Sequence, residues 1–388
     1  AASGALRLGG EGTATDLPFG APVSYQRAPD GTLETVASSY RLHEDGSIGF
    51  VLGEYDHSRE LVIDPVLAYA SYFGGSSSEV ATDVVVGADG SVYVTGRTTS
   101  GSFPSDPDAN ELPGAGGRGN GDVFVAKFSA DLSQVIWSTR IGGTADEQAN
   151  AIAVDANGNV AVTGWTRSSN FPTLAADDGS LATPLLSSHQ DAFVLKLDTN
   201  GSLVFSTYFG GNGSDDAGNA VAFDAAGNVY AAGLVSSDGL LSLPLLSDLL
   251  AGSDNAFINK YTAAGEEGYK RLLGGSADDF ATGLAVNAAG EAYVVGSTRS
   301  GTFALNADTL TINGHDAAQS GTIDGFLVRL NASGGHVYST FIGGNDNDSA
   351  GAVAIDGNGN AYVVGETRVR ASGNMETTTG GFQHGTSG

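Results

Sequence analysis

Cysteine is absent from the 388 residues, which excludes disulfides, thiol nucleophiles and Cys-ligated zinc. Basic residues are scarce: 17 Lys plus Arg stand against 44 Asp plus Glu, a formal charge of −27. Such a field repels phosphate backbones and anionic lipid, so no nucleic-acid partner and no membrane-surface role are expected. Long apolar runs are missing too. No stretch reaches the roughly 18 to 20 residues that a spanning helix needs, so no membrane insertion is expected. The basic and apolar regions of a signal peptide are not seen at the N-terminus, and the chain reads as already processed or as an excerpt.

What is present in quantity is glycine, 58 residues, alongside 41% hydrophobic residues. That mixture suits many short strands joined by tight turns and differs from the low hydrophobicity of disordered chains. Gly-Gly pairs recur at Gly74, Gly142, Gly210, Gly274 and Gly343, spaced by 68, 68, 64 and 69 residues. A fixed period of this size means stacked supersecondary units that complete one another's cores.

One copy runs AIAVDANGNVAVTG over 151–164 and DAFVLKLDTNGSLVFSTYFGG over 191–211. Its first two strand-length runs flank Asp155-Ala156-Asn157-Gly158-Asn159, where an Asp able to bond its own turn precedes a Gly able to take positive φ. Equivalent turns lie at Asp224 to Asn228, Asn287 to Glu291, Asp356 to Asn360 and Gly87 to Ser91, and the third and fourth runs meet at turns such as Asp198 to Gly201. The unit is therefore a four-stranded up-and-down meander. Both of its faces are apolar, since Phe193, Leu195 and Leu197 alternate with Ala192 and Val194. A meander covered on both faces and repeated along a chain predicts an all-β β-propeller; a β-helix would need parallel coils without these hairpins.

The wording D-x-F-V-x-K, S-T-x-x-G-G, A-I-A-V-D-x-x-G-N and Y-V-T-G-x-T-x-S-x-x-F-P resembles the SBBP family of bacterial β-propeller repeats. The resemblance covers about residues 68 to 388 in five copies, clearest over 122–172 and 324–367. Departures are Asn259, Glu291 and the missing Pro after Phe303 in the fourth copy, and Leu234 in the third. Residues 5 to 67, with Pro22-Val23-Ser24-Tyr25-Gln26, Tyr55-Asp56 and Leu61-Val62-Ile63-Asp64-Pro65, resemble the end of a β-rich domain that often precedes such repeats. The expected domains are 1–66, a partial β-rich segment, and 67–388, the propeller.

The last copy reads as a blade split between the termini: inner strands at 350 to 367, an outer strand from Leu67 to Phe73, and a third strand from Leu61 to Ile63. The competing expectation rests on Thr379-Gly380-Gly381-Phe382-Gln383, which resembles the linker into another repeat, so that the ring closes with further blades. An incomplete blade leaves an open strand edge that invites a neighbouring chain.

Each copy carries about 20 residues beyond the roughly 40 to 50 of an ordinary blade, placed between the second and third strands. In an antiparallel meander these linkers share a face with the Gly-Gly connections, and long loops on a rigid scaffold are the usual place for binding residues. The same face carries Glu79, Asp146, Glu147, Asp215, Asp216, Asp278, Asp279, Asp346 and Asp348. Clustered carboxylates suit a hard cation, so calcium is the one cofactor expectation, set against turn capping by the same acids. Lys127, Lys196, Lys260 and Arg329 recur at one strand position and suggest ion pairs with a neighbouring blade or long side chains reaching solvent. Phe103, Phe171 and Phe303 open the linkers as plugs of the seams. Trp137 and Trp165 stand outside the repeat, as core residues or as sugar-stacking platforms. His43, His57, His189, His315, His336 and His384 show no metal-ligand spacing, and no G-x-S-x-G elbow or P-loop occurs.

The functional expectation is a non-catalytic exported scaffold at the cell surface or outside it, used in adhesion or assembly, with itself, an extracellular glycan or a protein as partner. The alternative is a carbohydrate-active or glycan-binding propeller that uses non-repeated linker acids, Asp106, Asp108, Glu111, Asp177 and Asp178.

Overall fold

A computed structural model describes residues 6–8, 17–19, 22–43, 48–64, 72–104, 121–174, 189–210, 215–236, 254–301, 322–344 and 346–368. Among the described residues there are strands and no helix. The chain divides into two compact units, Ala1–Tyr72 and Phe73–Gly388.

The first unit contains β1 (Leu6–Leu8), β2 (Leu17–Phe19), β3 (Val23–Arg27), β4 (Leu33–Val36), β5 (Ser38–Leu42), β6 (Ile48–Leu52) and β7 (Leu61–Asp64). Strands β4, β3 and β7 form one antiparallel sheet; β1 pairs with β2, and β5 with β6. Gln26 fastens the connection into β7. Its buried amide donates to the carbonyls of Asp56 (2.7 Å) and Arg59 (3.2 Å) and accepts the Asp56 N–H (2.8 Å).

The second unit is a series of antiparallel meanders. The first sheet is β8 (Glu79–Val86), β9 (Val92–Thr98), β10 (Asp122–Phe128) and β11 (Val135–Ile141). The second is β12 (Glu147–Val154), β13 (Val160–Thr166), β14 (Asp191–Leu197) and β15 (Leu203–Phe209). The third is β16 (Ala217–Phe223), β17 (Val229–Ser236), β18 (Asp254–Tyr261) and β19 (Glu267–Leu273). The fourth is β20 (Asp279–Val286), β21 (Ala292–Thr298), β22 (Asp324–Leu330) and β23 (His336–Ile342). The last copy supplies β24 (Asp348–Ile355) and β25 (Ala361–Thr367), a two-stranded sheet.

The turns form for the reason their sequences suggest. Asp155 Oδ1 accepts the N–H groups of Asn157 and Asn159, and Gly158 completes the reversal at φ 87°, a conformation that costs glycine nothing. The same Asp or Asn with the same left-handed Gly recurs at Gly227, Gly290 and Gly359.

Each seam between successive sheets is filled by its own apolar cluster. Tyr93, Val125 and Ile141 of the first sheet pack with Ile152, Val162 and Phe193 of the second. Val194, Phe205 and Phe209 meet Val221 and Phe257; Tyr230, Ile258 and Leu273 meet Val294 and Phe326; Tyr293 and Val295 meet Ala350, Val353 and Val363. The first strands of neighbouring sheets lie side by side along the inner edge, while the fourth strands lie outermost. These are propeller blades.

Leu61 to Ile63 does not serve as a strand of the last blade. It lies in β7, where Leu61 to Asp64 pair with Val23 to Gln26 at the edge of the β4-β3-β7 sheet, and among the described residues it pairs with no strand of the last blade. Of the outer strand expected at Leu67 to Phe73, residues 67–71 lie outside the described residues, and Phe73 packs edge-to-face on Phe103 and Phe128 of the first blade. The segment 379–383 also lies outside them.

Candidate functional site

The nine acids singled out from the sequence lie at or just before the starts of the first strands, beside the ends of the second strands from which the long linkers depart: Glu147 lies opposite Thr166, Asp279 opposite Thr298 and Asp348 opposite Thr367. They divide into two kinds by what they touch. Asp146, Asp215 and Asp278 are rim acids that face arginines: Arg97 at 2.9 Å, Arg167 at 3.9 Å and Arg299 at 3.2 Å. Glu147, Asp216, Asp279 and Asp348 are buried, whereas Glu79 and Asp346 are half-buried.

The buried kind clamps the Gly-Gly connection. Glu147 Oε2 accepts the Gly143 N–H at 3.0 Å while Oε1 accepts the Thr166 hydroxyl at 2.8 Å. Asp279 holds Gly275 N–H at 2.8 Å and Ser300 Oγ at 3.0 Å, and Asp348 holds Gly344 N–H at 2.6 Å. The first glycine of each pair is needed for close approach: a Cβ on Gly142 would stand 2.3 Å from Asp122 Oδ1 and 2.5 Å from Glu147 Oε2. In the first, second and fourth blades the acid that opens the third strand (Asp122, Asp191, Asp324) therefore shares the seam with the clamping acid of the next blade.

Three of the four seams treat the position of that second acid differently. Arg140 faces Asp122 at 3.1 Å, and the third blade carries Asn255 in place of an acid beside Asp279. At the seam after the second blade Tyr208 takes the place of Arg140, and Asp191 lies next to Asp216 around Gly210 with its Oδ2 unpartnered. Burial pushes Asp191 up to about 7. Burial, aided by the Asp122 charge, pushes Glu147 up to about 7 against the hydrogen bonds it accepts, and burial pushes Asp279 up to about 6. Calcium takes six to eight oxygens. The described acids offer pairs already engaged with N–H, hydroxyl and guanidinium groups, and among the described residues no group of three or more His, Asp or Glu is gathered.

Lys196 is the buried bridge between blades, donating from Nζ to the carbonyls of Gly227 (3.0 Å) and Ala263 (3.1 Å) in the next sheet. Lys260 reaches Ala332 of the next sheet at 3.1 Å, whereas Lys127 and Arg329 turn to acids of their own blades, Asp89 (3.6 Å) and Glu291 (2.8 Å). Phe103 and Phe171 are buried, in ring contact with Phe124 and Phe193, as plugs. Trp137 is a core residue whose Nε1 donates to Thr199 in the next blade. Trp165 differs: it is half-buried at the rim, with the Arg167 guanidinium 5.4 Å from its ring. Phe303 and the linker acids Asp106, Asp108, Glu111, Asp177 and Asp178 lie outside the described residues.

Sequence reasoning missed the inner grip between blades. Each first strand bulges near its start, at Thr82, Asn150, Asn219, Thr282 and Gly351, and in the first four the bulged side chain donates to the carbonyl just before the next strand's bulge. The bonds run Thr82 to Ala149 (2.8 Å), Asn150 to Gly218 (2.9 Å), Asn219 to Ala281 (2.9 Å) and Thr282 to Ala350 (2.6 Å). The signal was a small polar residue at one place in four copies. In the fifth copy that place is Gly351, and the series ends.

Stacked four-stranded antiparallel blades with their first strands innermost define a β-propeller repeat protein. The family model of the beta-propeller repeat SBBP matches residues 136–172, 204–238 and 337–369, and the chain carries repeats of that family. Residues 3–66 match the model of a domain of unknown function, DUF7948. The regulatory protein FlaEY of Caulobacter vibrioides is 27% identical over 318 residues, which cover 77% of this chain and 31% of that protein. The chain thus spans about a third of the length of that curated relative. Among solved structures, BamB from Moraxella catarrhalis aligns over 87% of this chain and 92% of its own, at 12% identity and a TM-score of 0.24. A eukaryotic initiation factor aligns over 84% of this chain and 79% of its own, at 9% identity and the same score of 0.24. Scores this low carry no argument.

Proposed function

We propose that this chain is a non-catalytic scaffold exported to the cell surface, which uses its rim of long linkers to hold an extracellular glycan or protein. The observation that supports this reading is where the recurring polar groups are spent. Clamping acids, bulge donors and Lys196 all serve the blade or its neighbour, so what repeats is framework and what varies is the rim. Trp165 is a non-repeated aromatic on the described rim, and its face beside the Arg167 guanidinium suits sugar stacking. A regulatory role, as the relative's name has it, would be exercised here by protein binding at the same rim.

The test is a glycan and protein-binding screen with purified chain and with Trp165→Ala. Binding without turnover, weakened at least tenfold in the variant while its circular dichroism is unchanged, is the expected result. Hydrolysis of a bound glycan would replace the scaffold with a carbohydrate-active enzyme, and retention of the protein in the cytoplasm would remove the surface role.

A further inference from the structure

The third strand of each complete blade meets the second in one invariant register. Asp122, Phe124 and Lys127 lie opposite Thr98, Gly96 and Tyr93; Asp324, Phe326 and Arg329 lie opposite Thr298, Gly296 and Tyr293. The second and third blades keep the same offsets with Phe193 on Gly164 and Phe257 on Gly233. Two of these pairings are sockets. The phenylalanine lies over a glycine, with Phe326 Cε1 2.8 Å from where a Cβ on Gly296 would be. The cation lies over a tyrosine, at 5.0 Å for Lys127 on Tyr93, 4.9 Å for Lys260 on Tyr230 and 5.3 Å for Arg329 on Tyr293.

Strand β25 repeats every receiving residue: Thr367, Gly365 and Tyr362, with Asp356 Oδ2 3.3 Å from the Tyr362 hydroxyl, as Asp224 is 3.0 Å from that of Tyr230. Among the described residues β25 pairs with β24 alone. Its outward side chains are bare, Tyr362 59% and Val364 67% exposed, where Tyr93 and Tyr230 are 0% and Tyr293 3%. The fourth blade is uncovered to match. Ile342 is half-buried although its counterparts Ile141, Phe209 and Leu273 are buried by the blade that follows each.

We infer that the edge of β25 left unpaired among the described residues is a docking site for a β-hairpin of the repeat's own third-and-fourth-strand type, whose leading strand reads Asp-x-Phe-x-x-Lys or Arg. Main-chain pairing to an open edge supplies the affinity and the two sockets supply the choice of sequence. The phenylalanine seats on Gly365, the cation on Tyr362 beside Asp356, and the hairpin covers Ile342. An edge without sockets would take any strand; this one discriminates.

The experiment adds a synthetic peptide of residues 191–210 to the full chain and follows hydrogen exchange of the 361–367 amides together with anisotropy of labelled peptide. Saturable binding and at least tenfold slower exchange across β25 are expected. A peptide carrying Phe193→Ser and Lys196→Glu is expected to do neither, and Tyr362→Ser in the chain, at an exposed position, to weaken binding about tenfold. The same hairpin joined after residue 388 through the sequence of 168–190 gives a second readout, a higher Tm than the chain alone, that does not depend on peptide solubility. Equal protection by the double-substituted peptide, or no protection with either form of the hairpin, would overturn the proposal. So would β25 amides already slow in the free chain, which would mean that its own segments close the edge. A dimer seen by sedimentation velocity that the peptide fails to dissociate would give the edge to a second copy.

Discussion

Asn150 and its counterparts do with one hydrogen bond what the apolar seams cannot, which is to fix how far one blade slides along the next. A dispersive contact tolerates a shift of a fraction of an ångström, whereas the bulge carbonyl of Gly218 has one donor at 2.9 Å. Asn150→Ala leaves that carbonyl unpaired in a half-buried seam and is expected to cost about 1 to 3 kcal/mol in urea unfolding. Asn150→Thr should recover most of it, because Thr82 and Thr282 make the same bond elsewhere. The buried acids act in the opposite sense. Asp191 and Glu147 are pushed up to about 7, so between the ordinary carboxylate range and pH 7 the folded chain holds protons that the unfolded chain has released. Their contribution is therefore most favourable near pH 4 and is lost as pH rises toward 7. Asp191→Asn, which copies the Asn255 already present one blade later, is expected to raise Tm by several degrees at pH 7.5 and to change it little at pH 4. A variant less stable than the parent at pH 7.5 would mean that the Asp191 charge is compensated after all.

At the scale of the blade, stability and legibility come from the same places. Turn chemistry depends on a few adjacent residues, so Asp155 to Asn159 announced a hairpin, and Gly158 takes φ 87° as that turn requires. Gly158→Ala is expected to lower stability by about 1 kcal/mol or more in the same unfolding assay, because an L side chain resists that conformation. An unchanged midpoint would show that the turn relaxes. The alternation of Phe193, Leu195 and Leu197 likewise announced a strand covered on two faces. The acids were half legible: their place on the linker side follows from antiparallel connectivity, but their division into Arg-paired rim groups and Gly-Gly clamps depends on blade-to-blade distances that no local pattern carries. The bulge bonds were hidden for the same reason, since Thr82, Asn150, Asn219 and Thr282 look like ordinary strand polar residues until the next blade is beside them. Leu61 to Ile63 misled because an apolar strand edge is chemically generic. It fitted a blade as well as it fitted β3, and only the Gln26 clamp on Asp56 and Arg59 favours the latter.

In a molecule made of stacked repeats each blade is stabilised by its own sheet and by the seams on either side, so free energy of opening is distributed by position. The second, third and fourth blades each have four strands and two apolar seams. The first blade has one seam among the described residues, and Val80, Val84 and Val86 of β8 are exposed on its other side. The fifth has, among the described residues, one seam, two strands and Gly351 in place of a bulge donor, so it combines the least pairing with the least burial. Local opening should therefore begin at β24 and β25, and exchange there should be faster than in β13, β17 and β21 by several orders of magnitude. The first blade should fall between, because its β9 and β10 are interior strands of a complete sheet. This order distinguishes a stack of semi-independent sheets from a single cooperative core, in which every strand would exchange at the rate of global unfolding. Native-state hydrogen exchange at low denaturant reads it directly. One common exchange rate across all five copies would show that the seams transmit stability along the whole array, and the blade could then no longer be treated as the unit of folding.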